Sequence, residues 1–385
     1  MSTEHPATPQ RGARIRAMDR RGFLRLGGGG LAGAILLGTT SGGSGRALAQ
    51  AKPSLAAEFE AAAAEYGVPK ELLLAVGFVN TLWEMPPPDA SPYEPDDLHG
   101  RGAYGIMQLV RRPSKDTLGR AASLTGISAK RLKADRAANV RGGAAVLADM
   151  AGGDKLSSLD GWYDVVAEYG SGGLYANEVY EVLESGVSAR ISTGESLELA
   201  PQPGAQPRTL FRAQAAADYP GATWYGNNGR NYSNRGRGAA AIDMIVVHIA
   251  QGTYSGTLGW FRNPDNTGSS AHYTVSKYGA VGQSVRDEDI AWHAGWWKTN
   301  KRSIGVEHAG YVNDSSWFTN EMYDGSAKLS AWLSRKYGVP IDRRHVIGHH
   351  EVPGCSGSGG GVSCHTDPGK YWDWDRYLRL VRRYR

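Results

Sequence analysis

Hydrophobic periodicity divides the chain into a helical first part and a second part in which strands and helices alternate. In the first part, apolar residues recur at helical spacing from Glu71 to Trp83, directly after Pro69, which suits the first turn of a helix. Further helices are predicted around residues 114–124, 140–150 and 174–183. The first part therefore indicates a helical domain.

The pattern changes after Asp218. Residues 242–248 are apolar on both faces, which is typical of a central strand. A strand pair is predicted over residues 271–275 and 280–285, an amphipathic helix over 318–337, and another strand over 345–349. Strands that alternate with helices indicate an α/β layer fold.

Between these parts, residues 186–216 show no sustained period and contain the sequence APQPGAQP, so they are predicted to form a linker. A chain of 385 residues, 41% apolar and 21% charged, is too long for one typical core. We therefore expect an α+β multidomain protein, with a helical domain over residues 50–185 and an α/β domain over 217–385.

The first 49 residues have the order of regions that an export signal has. Arg20 and Arg21 precede a weakly hydrophobic stretch, and Ala47-Leu48-Ala49 has the form of a cleavage site. This resembles a twin-arginine signal, although a disordered basic tail would also explain the arginines. The apolar stretch is too short and too rich in glycine for a membrane span. We expect a secreted protein that starts near Gln50 and keeps no membrane anchor after cleavage.

Export changes the interpretation of Cys355 and Cys364, the two cysteines of the chain. In an oxidising compartment they are predicted to form a disulfide bond, which would close a loop of about ten residues and stabilise the fold by roughly 2.5 to 3 kcal/mol. Zinc ligation by Cys364 is the alternative.

The charge of the chain says little about its partners. A net charge of +5 would suit an anionic partner, such as nucleic acid, a phosphate-bearing wall polymer or a membrane surface, but dispersed surface charge gives the same value. Neither the basic segment 226–238 nor the C-terminal RLVRRYR resembles a nucleic-acid-binding motif. We expect no nucleic-acid partner.

Candidate metal chemistry is concentrated in the second part, which holds eight of the ten histidines. The helical zinc motif His-Glu-x-x-His is absent, because His350-Glu351 is followed by Val352-Pro353-Gly354. Any metal site must therefore be assembled from distant segments. If a strand continues to residue 350, His349 and His350 lie on opposite faces, so only one of them can face a metal.

Six ordered motifs carry a family resemblance over residues 219–377: VVHIAQG, SSAHYTV, IAWHAGW, RSIGVEHAGY, GHHEVPG and HTDPGKYWDW. They resemble the type 2 N-acetylmuramoyl-L-alanine amidases, which are related to peptidoglycan recognition proteins. The resemblance implies a central mixed sheet flanked by helices, and a Zn²⁺ ion held by His248, His349 and Asp367. It also implies that Glu307 is the acid/base and that His365 stabilises developing negative charge.

The same resemblance implies the substrate and the reaction. The substrate would be peptidoglycan, with its glycan strand and stem peptide, and the bond cleaved would join N-acetylmuramic acid to L-alanine. Zinc would activate a water molecule and polarise the amide carbonyl. His293 and Trp292 look like part of a groove wall that contacts substrate, and His272 is a weaker candidate for the same role. We expect a monomer.

A second resemblance covers residues 56–185, through YGVPKELLLAV, GAYGIMQLV, NVRGGAAVLADM and VVAEYGSGG. These segments resemble the lysozyme-like, soluble lytic transglycosylase superfamily, which is all-α here. Alignment places Asn80 where that family has its catalytic glutamate, and Gly170 where it has an asparagine. Glu84 is one turn further on, about 6 Å away by helix rise. We expect a domain that binds glycan with little or no cleavage; residual cleavage through Glu84 and a structural role are the alternatives.

Two other functions compete with the zinc amidase. One is a non-catalytic peptidoglycan-recognition protein that lacks a metal ligand, and the other is a bifunctional enzyme that also cleaves glycan strands. The three implied ligands and Glu307 are all present, which favours the amidase, while Asn80 weakens the bifunctional alternative.

Overall fold

A computed structural model describes residues 53–94, 101–152, 156–170, 172–208, 215–353, 363 and 365–385. The predicted export signal and both cysteines of the predicted disulfide bond lie outside these residues. Among the described residues, no helix combines the length and the apolar character that crossing a membrane requires.

The described residues contain helices α1 to α11 and three short 3₁₀ helices. The α-helices are α1 Leu55–Tyr66, α2 Lys70–Thr81, α3 Thr117–Thr125, α4 Ala129–Ala134, α5 Arg136–Met150, α6 Tyr163–Tyr169, α7 Gly173–Ser185, α8 Tyr254–Arg262, α9 Trp297–Arg302, α10 Asn320–Tyr337 and α11 Trp374–Tyr384. The 3₁₀ helices span Leu159–Trp162, Ser315–Trp317 and His349–Glu351.

The strands are numbered β1 to β13 in chain order. They are β1 Ala103–Tyr104, β2 Leu109–Arg112, β3 Lys115–Asp116, β4 Val187–Arg190, β5 Ser196–Leu199, β6 Ala222–Trp224, β7 Tyr232–Ser233, β8 Met244–Ile249, β9 Tyr273–Val275, β10 Val281–Gln283, β11 Ile290–Ala291, β12 Ser303–His308 and β13 Val346–Gly348.

The first part of the chain is helical but not all-α. Helix α2 follows Pro69 as predicted, and it ends at Thr81 because Leu82 and Trp83 adopt left-handed backbone angles, with φ of 55° and 66°. Strands β1 to β3 form a small antiparallel sheet between α2 and α3. These strands are two to four residues long, so they are too short to produce a periodic signal in the sequence. The prediction of an all-α domain is therefore wrong in this segment.

The predicted linker begins with an ordered hairpin formed by β4 and β5. Leu197 and Leu199 alternate with exposed residues along β5, and they are buried in the same apolar core as α1 and α2. The Glu195 carboxylate accepts a hydrogen bond from the Leu55 backbone N–H and forms an ion pair with Arg136. The helical part of the protein thus extends through residue 199, beyond the predicted boundary at 185.

The second part is built on a six-stranded mixed sheet with the strand order β13-β8-β12-β9-β10-β6. Strands β13, β8, β12 and β9 are parallel, and β10 is antiparallel to β9. Alternate residues of the central strands, among them Ile245 and Val306, share an apolar core with α10 and α11. The opposite face carries His248 on β8 and Glu307 on β12, which are register partners. This arrangement agrees with the mixed sheet flanked by helices that the resemblance implies.

Residues Ser54–Arg385 form one compact unit. The apolar core of the helical part continues into the second part through Tyr254, Leu258 and Trp317. Helix α7 packs against α8, and the Ser255 hydroxyl donates a hydrogen bond to the Glu178 carboxylate. Burial at this contact raises the pKa of Glu178 to about 7.

Candidate active site

The three implied metal ligands come together at one edge of the mixed sheet. His248 lies near the end of β8, His349 begins the 3₁₀ helix that follows β13, and Asp367 lies in the segment before α11. One potential ligand atom from each residue lies within 4.8 Å of the other two. Because β8 and β13 are parallel neighbours, their carboxyl ends bring two histidines from distant segments to the same place.

The end of β13 decides which neighbouring histidine faces this cluster. The strand stops at Gly348, and its N–H donates to the Glu351 carboxylate, which fixes the turn that follows. His349 is 6% exposed and faces Asp367, whereas the His350 side chain is exposed. His350 instead holds the Asp367 backbone, because its own N–H donates to the Asp367 carbonyl oxygen at 3.0 Å.

The Asp367 carboxylate is 1% exposed and lies between the two imidazoles. Its Oδ2 is 3.4 Å from Nδ1 of His248, and its Oδ1 is 3.2 Å from Nδ1 of His349. Burial by itself would raise the pKa of Asp367, but the neighbouring imidazoles hold it well below its usual range, so the carboxylate is ionised. Burial and the neighbouring His349 lower the pKa of His248 to about 3, so this imidazole is neutral.

The chemistry of these atoms fits a divalent cation. Nδ1 of His248, both ring nitrogens of His349 and Oδ1 of Asp367 are buried and make no hydrogen bond. Buried polar atoms are nearly always satisfied, and two imidazoles with one carboxylate are a ligand set that zinc accepts. These three residues could therefore hold a zinc ion through atoms that have no other partner.

Glu307 lies beside this cluster. It is fully buried on β12, directly opposite His248 in the sheet register, and its Oε1 is 3.7 Å from Nδ1 of His248. The apolar neighbours Ile304 and Val306 face the core on the other side of the strand. The strand thus delivers one carboxylate to the ligand cluster without making it a member of the ligand set.

His365 packs against the cluster from the segment that carries Asp367. Its ring stacks on the ring of His349, with centroids 3.5 Å apart and planes 16° apart. Its backbone N–H donates to the Ser363 hydroxyl. The structure therefore brings His365 together with the predicted ligands.

His293 is buried beside the ligand cluster, whereas Trp292 is partly exposed. His293 is 6% exposed and lies behind His248, with its Nδ1 3.0 Å from Nε2 of His248. Trp292 is partly exposed, and its backbone pairs with Ser270. Substrate contact by these two residues stays a prediction; the contacts of His293 are with the protein.

His272 is fully buried within the sheet. Its Nδ1 accepts a hydrogen bond from the Gly305 backbone N–H, and its Nε2 lies 2.7 Å from the Arg237 guanidinium. Burial and Arg237 hold the pKa of His272 well below its usual range. Its predicted contact with substrate stays a prediction, and this position gives it no support.

Sequence reasoning missed Ser303, which completes the surroundings of His293. Ser303 Oγ lies 3.1 Å from Nε2 of His293 and 2.6 Å from the Thr299 carbonyl oxygen. The available signal was alternation along β12, because Ser303, Gly305 and Glu307 occupy every second position of the strand.

Comparisons with known proteins identify a family for this chain. The family model described as N-acetylmuramoyl-L-alanine amidase matches residues 238–370. The chain is 31% identical over 176 residues to N-acetylmuramoyl-L-alanine amidase A of Achromobacter lyticus, an alignment that covers 43% of this chain and 96% of that protein. It is 30% identical over 119 residues to 1,6-anhydro-N-acetylmuramyl-L-alanine amidase AmpD of Haemophilus influenzae, which covers 29% of this chain and 59% of AmpD.

Among solved structures, a selenomethionine derivative of AmpD matches 45% of this chain and 99% of its own, with 21% identity and a TM-score of 0.33. The family model begins at residue 238, so the helical part of the chain lies outside it. The alignment with the Achromobacter enzyme covers nearly the whole of that protein. This chain belongs to the N-acetylmuramoyl-L-alanine amidase family, and it is an enzyme of that class.

Proposed function

We propose that this protein is an exported, zinc-dependent hydrolase that cleaves the amide bond between N-acetylmuramic acid and L-alanine in peptidoglycan. The observation that carries the proposal is the convergence of unpartnered donor atoms from His248, His349 and Asp367, with the Glu307 carboxylate beside them. Export is supported by the twin-arginine pattern in residues 1–49.

His248, His349 and Asp367 would hold the metal. A zinc ion at this position would polarise the scissile carbonyl and lower the pKa of a water molecule. The buried, ionised Asp367 compensates part of the cation's charge, and the neutral imidazole of His248 provides a nitrogen lone pair without adding charge. The site is therefore suited to a divalent cation rather than to a monovalent one.

We assign proton transfer to Glu307. Its carboxylate is 3.7 Å from a ligand atom of His248, so it can accept a proton from an attacking water and deliver that proton to the departing L-alanine nitrogen. We assign the stabilisation of negative charge on the substrate's carbonyl oxygen to His365, which stacks on His349 beside the ligand cluster. Proton transfer and charge stabilisation are thus assigned to residues from two different segments.

We also propose that the helical part holds the glycan strand without cleaving it. Asn80, in the position of the lysozyme-like acid, is 3% exposed and its Oδ1 accepts a hydrogen bond from the Tyr175 hydroxyl. The Glu84 carboxylate accepts hydrogen bonds from the backbone and side chain of Ser192. A Cβ atom at Gly170 would lie 1.9 Å from the Tyr175 ring, so that ring fills the space beside Asn80. These contacts support the absence of an available acid.

The amidase assignment is tested by digesting purified peptidoglycan with the full chain, with and without a zinc chelator. We expect new L-alanine amino termini that appear only when zinc is present, and no new sugar ends. Sugar ends without amino termini would reverse the roles of the two parts. Binding without any product would favour the recognition-protein alternative.

The glycan-holding role is tested separately with Glu307→Gln, which should lack amidase turnover. We expect this variant to bind peptide-free glycan strands and to release no reducing or anhydro ends from them. Release of such ends would show cleavage by the helical part, and absence of binding would leave that part a structural role.

A further inference from the structure

The bond between His248 and a metal depends on which ring nitrogen of His248 carries the proton. A neutral imidazole has one N–H and one lone pair. Nδ1 faces Asp367 at 3.4 Å, whereas Nε2 faces His293 at 3.0 Å, so Nδ1 is the nitrogen on the side of the ligand cluster. His248 can therefore serve as a ligand only as the Nε2–H tautomer, and a partner for that N–H is what fixes the tautomer.

The hydrogen-bond partner of Nε2 of His248 is another histidine, His293. The tautomer of His248 therefore depends on the tautomer of His293. Nε2 of His248 lies 3.0 Å from Nδ1 of His293, and both rings are buried. One of these two nitrogens must donate and the other must accept. If His293 carried its proton on Nδ1, His248 would be driven to the tautomer in which its own Nδ1 is protonated and cannot bind a metal.

Ser303 resolves this ambiguity. Its Oγ lies 2.6 Å from the Thr299 carbonyl oxygen, which can only accept, so the single hydroxyl hydrogen is used there. The 3.1 Å contact between Ser303 Oγ and Nε2 of His293 must then be donated by the imidazole. A neutral His293 with its proton on Nε2 presents a bare Nδ1 to His248.

We propose that Ser303 and His293 are positioning residues that fix His248 in its metal-binding tautomer through a directed chain of hydrogen bonds. The chain runs from the Nε2–H of His248 to Nδ1 of His293, from the Nε2–H of His293 to Ser303 Oγ, and from the Ser303 hydroxyl to the Thr299 carbonyl oxygen. The proposal rests on the zinc dependence proposed above, but the tautomer itself is a property of the metal-free protein.

Gly305 leaves the space that the His293 ring occupies. A Cβ atom added at this position would lie 2.4 Å from Cγ of His293, so any side chain here would push the His293 ring out of place. Three alternate residues on this face of β12 thus have different roles. Ser303 sets the direction of the hydrogen bonds, Gly305 leaves space for the His293 ring, and Glu307 faces the ligand cluster.

The test is Ser303→Ala, which removes the acceptor for His293. The dissociation constant for zinc is measured on the full chain by competition with a chromophoric chelator. Tautomers of His248 and His293 are read from long-range ¹H–¹⁵N spectra of the metal-free protein. We expect the zinc affinity to fall about 10-fold or more, in the range found when a partner of a metal ligand is lost, and the Nε2–H signature of His248 to be lost or mixed.

Ser326→Ala is the matched control. Ser326 is also fully buried, and its Oγ lies 2.7 Å from Nε2 of a histidine, His308. Nδ1 of His308 lies 2.9 Å from the backbone carbonyl oxygen of His248, so His308 contacts the backbone of that ligand residue. This variant loses the same kind of contact, and we expect its zinc affinity to stay within about twofold of the parent's. Ser303→Thr keeps the hydroxyl and should keep most of the affinity.

Equal zinc affinities for Ser303→Ala and Ser326→Ala, with His248 unchanged as the Nε2–H tautomer, would overturn the proposal. If Ser303→Ala fails to fold, the parent spectrum decides, because a proton on Nδ1 of either His248 or His293 contradicts the chain of hydrogen bonds. Failure of the parent to bind zinc would defeat the proposed function instead, and the tautomers would still report on Ser303.

Discussion

Replacement of Glu307 by glutamine separates proton transfer from metal binding. Glutamine has nearly the same shape as glutamate, so the fully buried position on β12 should accommodate it. The amide cannot accept a proton from water at neutral pH, while the three ligand residues are untouched. We therefore expect Glu307→Gln to bind zinc as the parent does and to lose most of its turnover.

The size of the loss follows from the role assigned to the carboxylate. General acid–base catalysis contributes about 10² to 10⁴-fold, which corresponds to roughly 2.7 to 5.5 kcal/mol of barrier at about 1.36 kcal/mol per tenfold. The same carboxylate lies opposite His248 and within 3.7 Å of its Nδ1, so both the uptake of the proton and its delivery would be lost together.

The assay measures the rate at which L-alanine amino termini appear in purified peptidoglycan, with the zinc content of the same samples measured by mass spectrometry. Glu321→Gln, at an exposed position in the first turn of α10, is the matched control and should keep the parent's rate. A Glu307→Gln enzyme within about tenfold of the parent would refute the assignment of proton transfer, and loss of zinc from this variant would show that Glu307 belongs to the ligand set.

Three further predictions concern stability. Burial raises the pKa of Glu178 to about 7 in the folded protein, against its usual 4.5, so the contribution of this group to stability is greatest below pH 4.5 and is lost as the pH rises through 7. Glu178→Gln should remove up to about 3 kcal/mol of this loss, seen as a smaller difference between urea unfolding at pH 5 and at pH 8. An identical pH dependence in both proteins would contradict it. Gly170→Ala places a Cβ atom against the Tyr175 ring and should cost about 1 to 3 kcal/mol in the same unfolding assay, whereas Gly204→Ala, which meets no atom within 4 Å, should be close to neutral; equal effects would show that Tyr175 does not fill this space. Removal of zinc by a chelator should lower the melting temperature, because saturation at about a thousand times the dissociation constant stabilises the fold by about 4 kcal/mol; an unchanged melting temperature would argue against a buried metal.

The implied metal ligands could be named from the sequence, because each one lies in a short motif and the motifs occur in a fixed order. His248, His349 and Asp367 were assigned from three such motifs, and the structure brings them within 4.8 Å of one another. The choice between His349 and His350 was left open by strand alternation, because it depends on where β13 ends. Only the turn that begins after Gly348, with its N–H bound to the Glu351 carboxylate, turns the first of the two toward Asp367.

Features that depend on contacts between distant segments were not predicted. The sequence analysis assigned the hairpin of β4 and β5 to a linker. Its strands have only four residues each, and its buried leucines share a core with α1 and α2, which a local sequence pattern does not reveal. The role of Ser303 was missed for a related reason. A serine that begins a strand has no distinctive pattern, and its significance appears only when His293 and Thr299 are placed on either side of its hydroxyl.

The shared apolar core determines how the two parts of the chain can act together. Tyr254, Leu258 and Trp317 belong to the part that carries the ligand cluster, yet they are 7%, 1% and 2% exposed because they are buried in the same core as α2 and α7. Separate domains joined by a flexible linker would leave such residues on a surface, where an apolar patch favours association. The two parts therefore form one compact body. The distance between a glycan strand held by the helical part and the ligand cluster would then be set by the packing of the two parts rather than by the length of a linker.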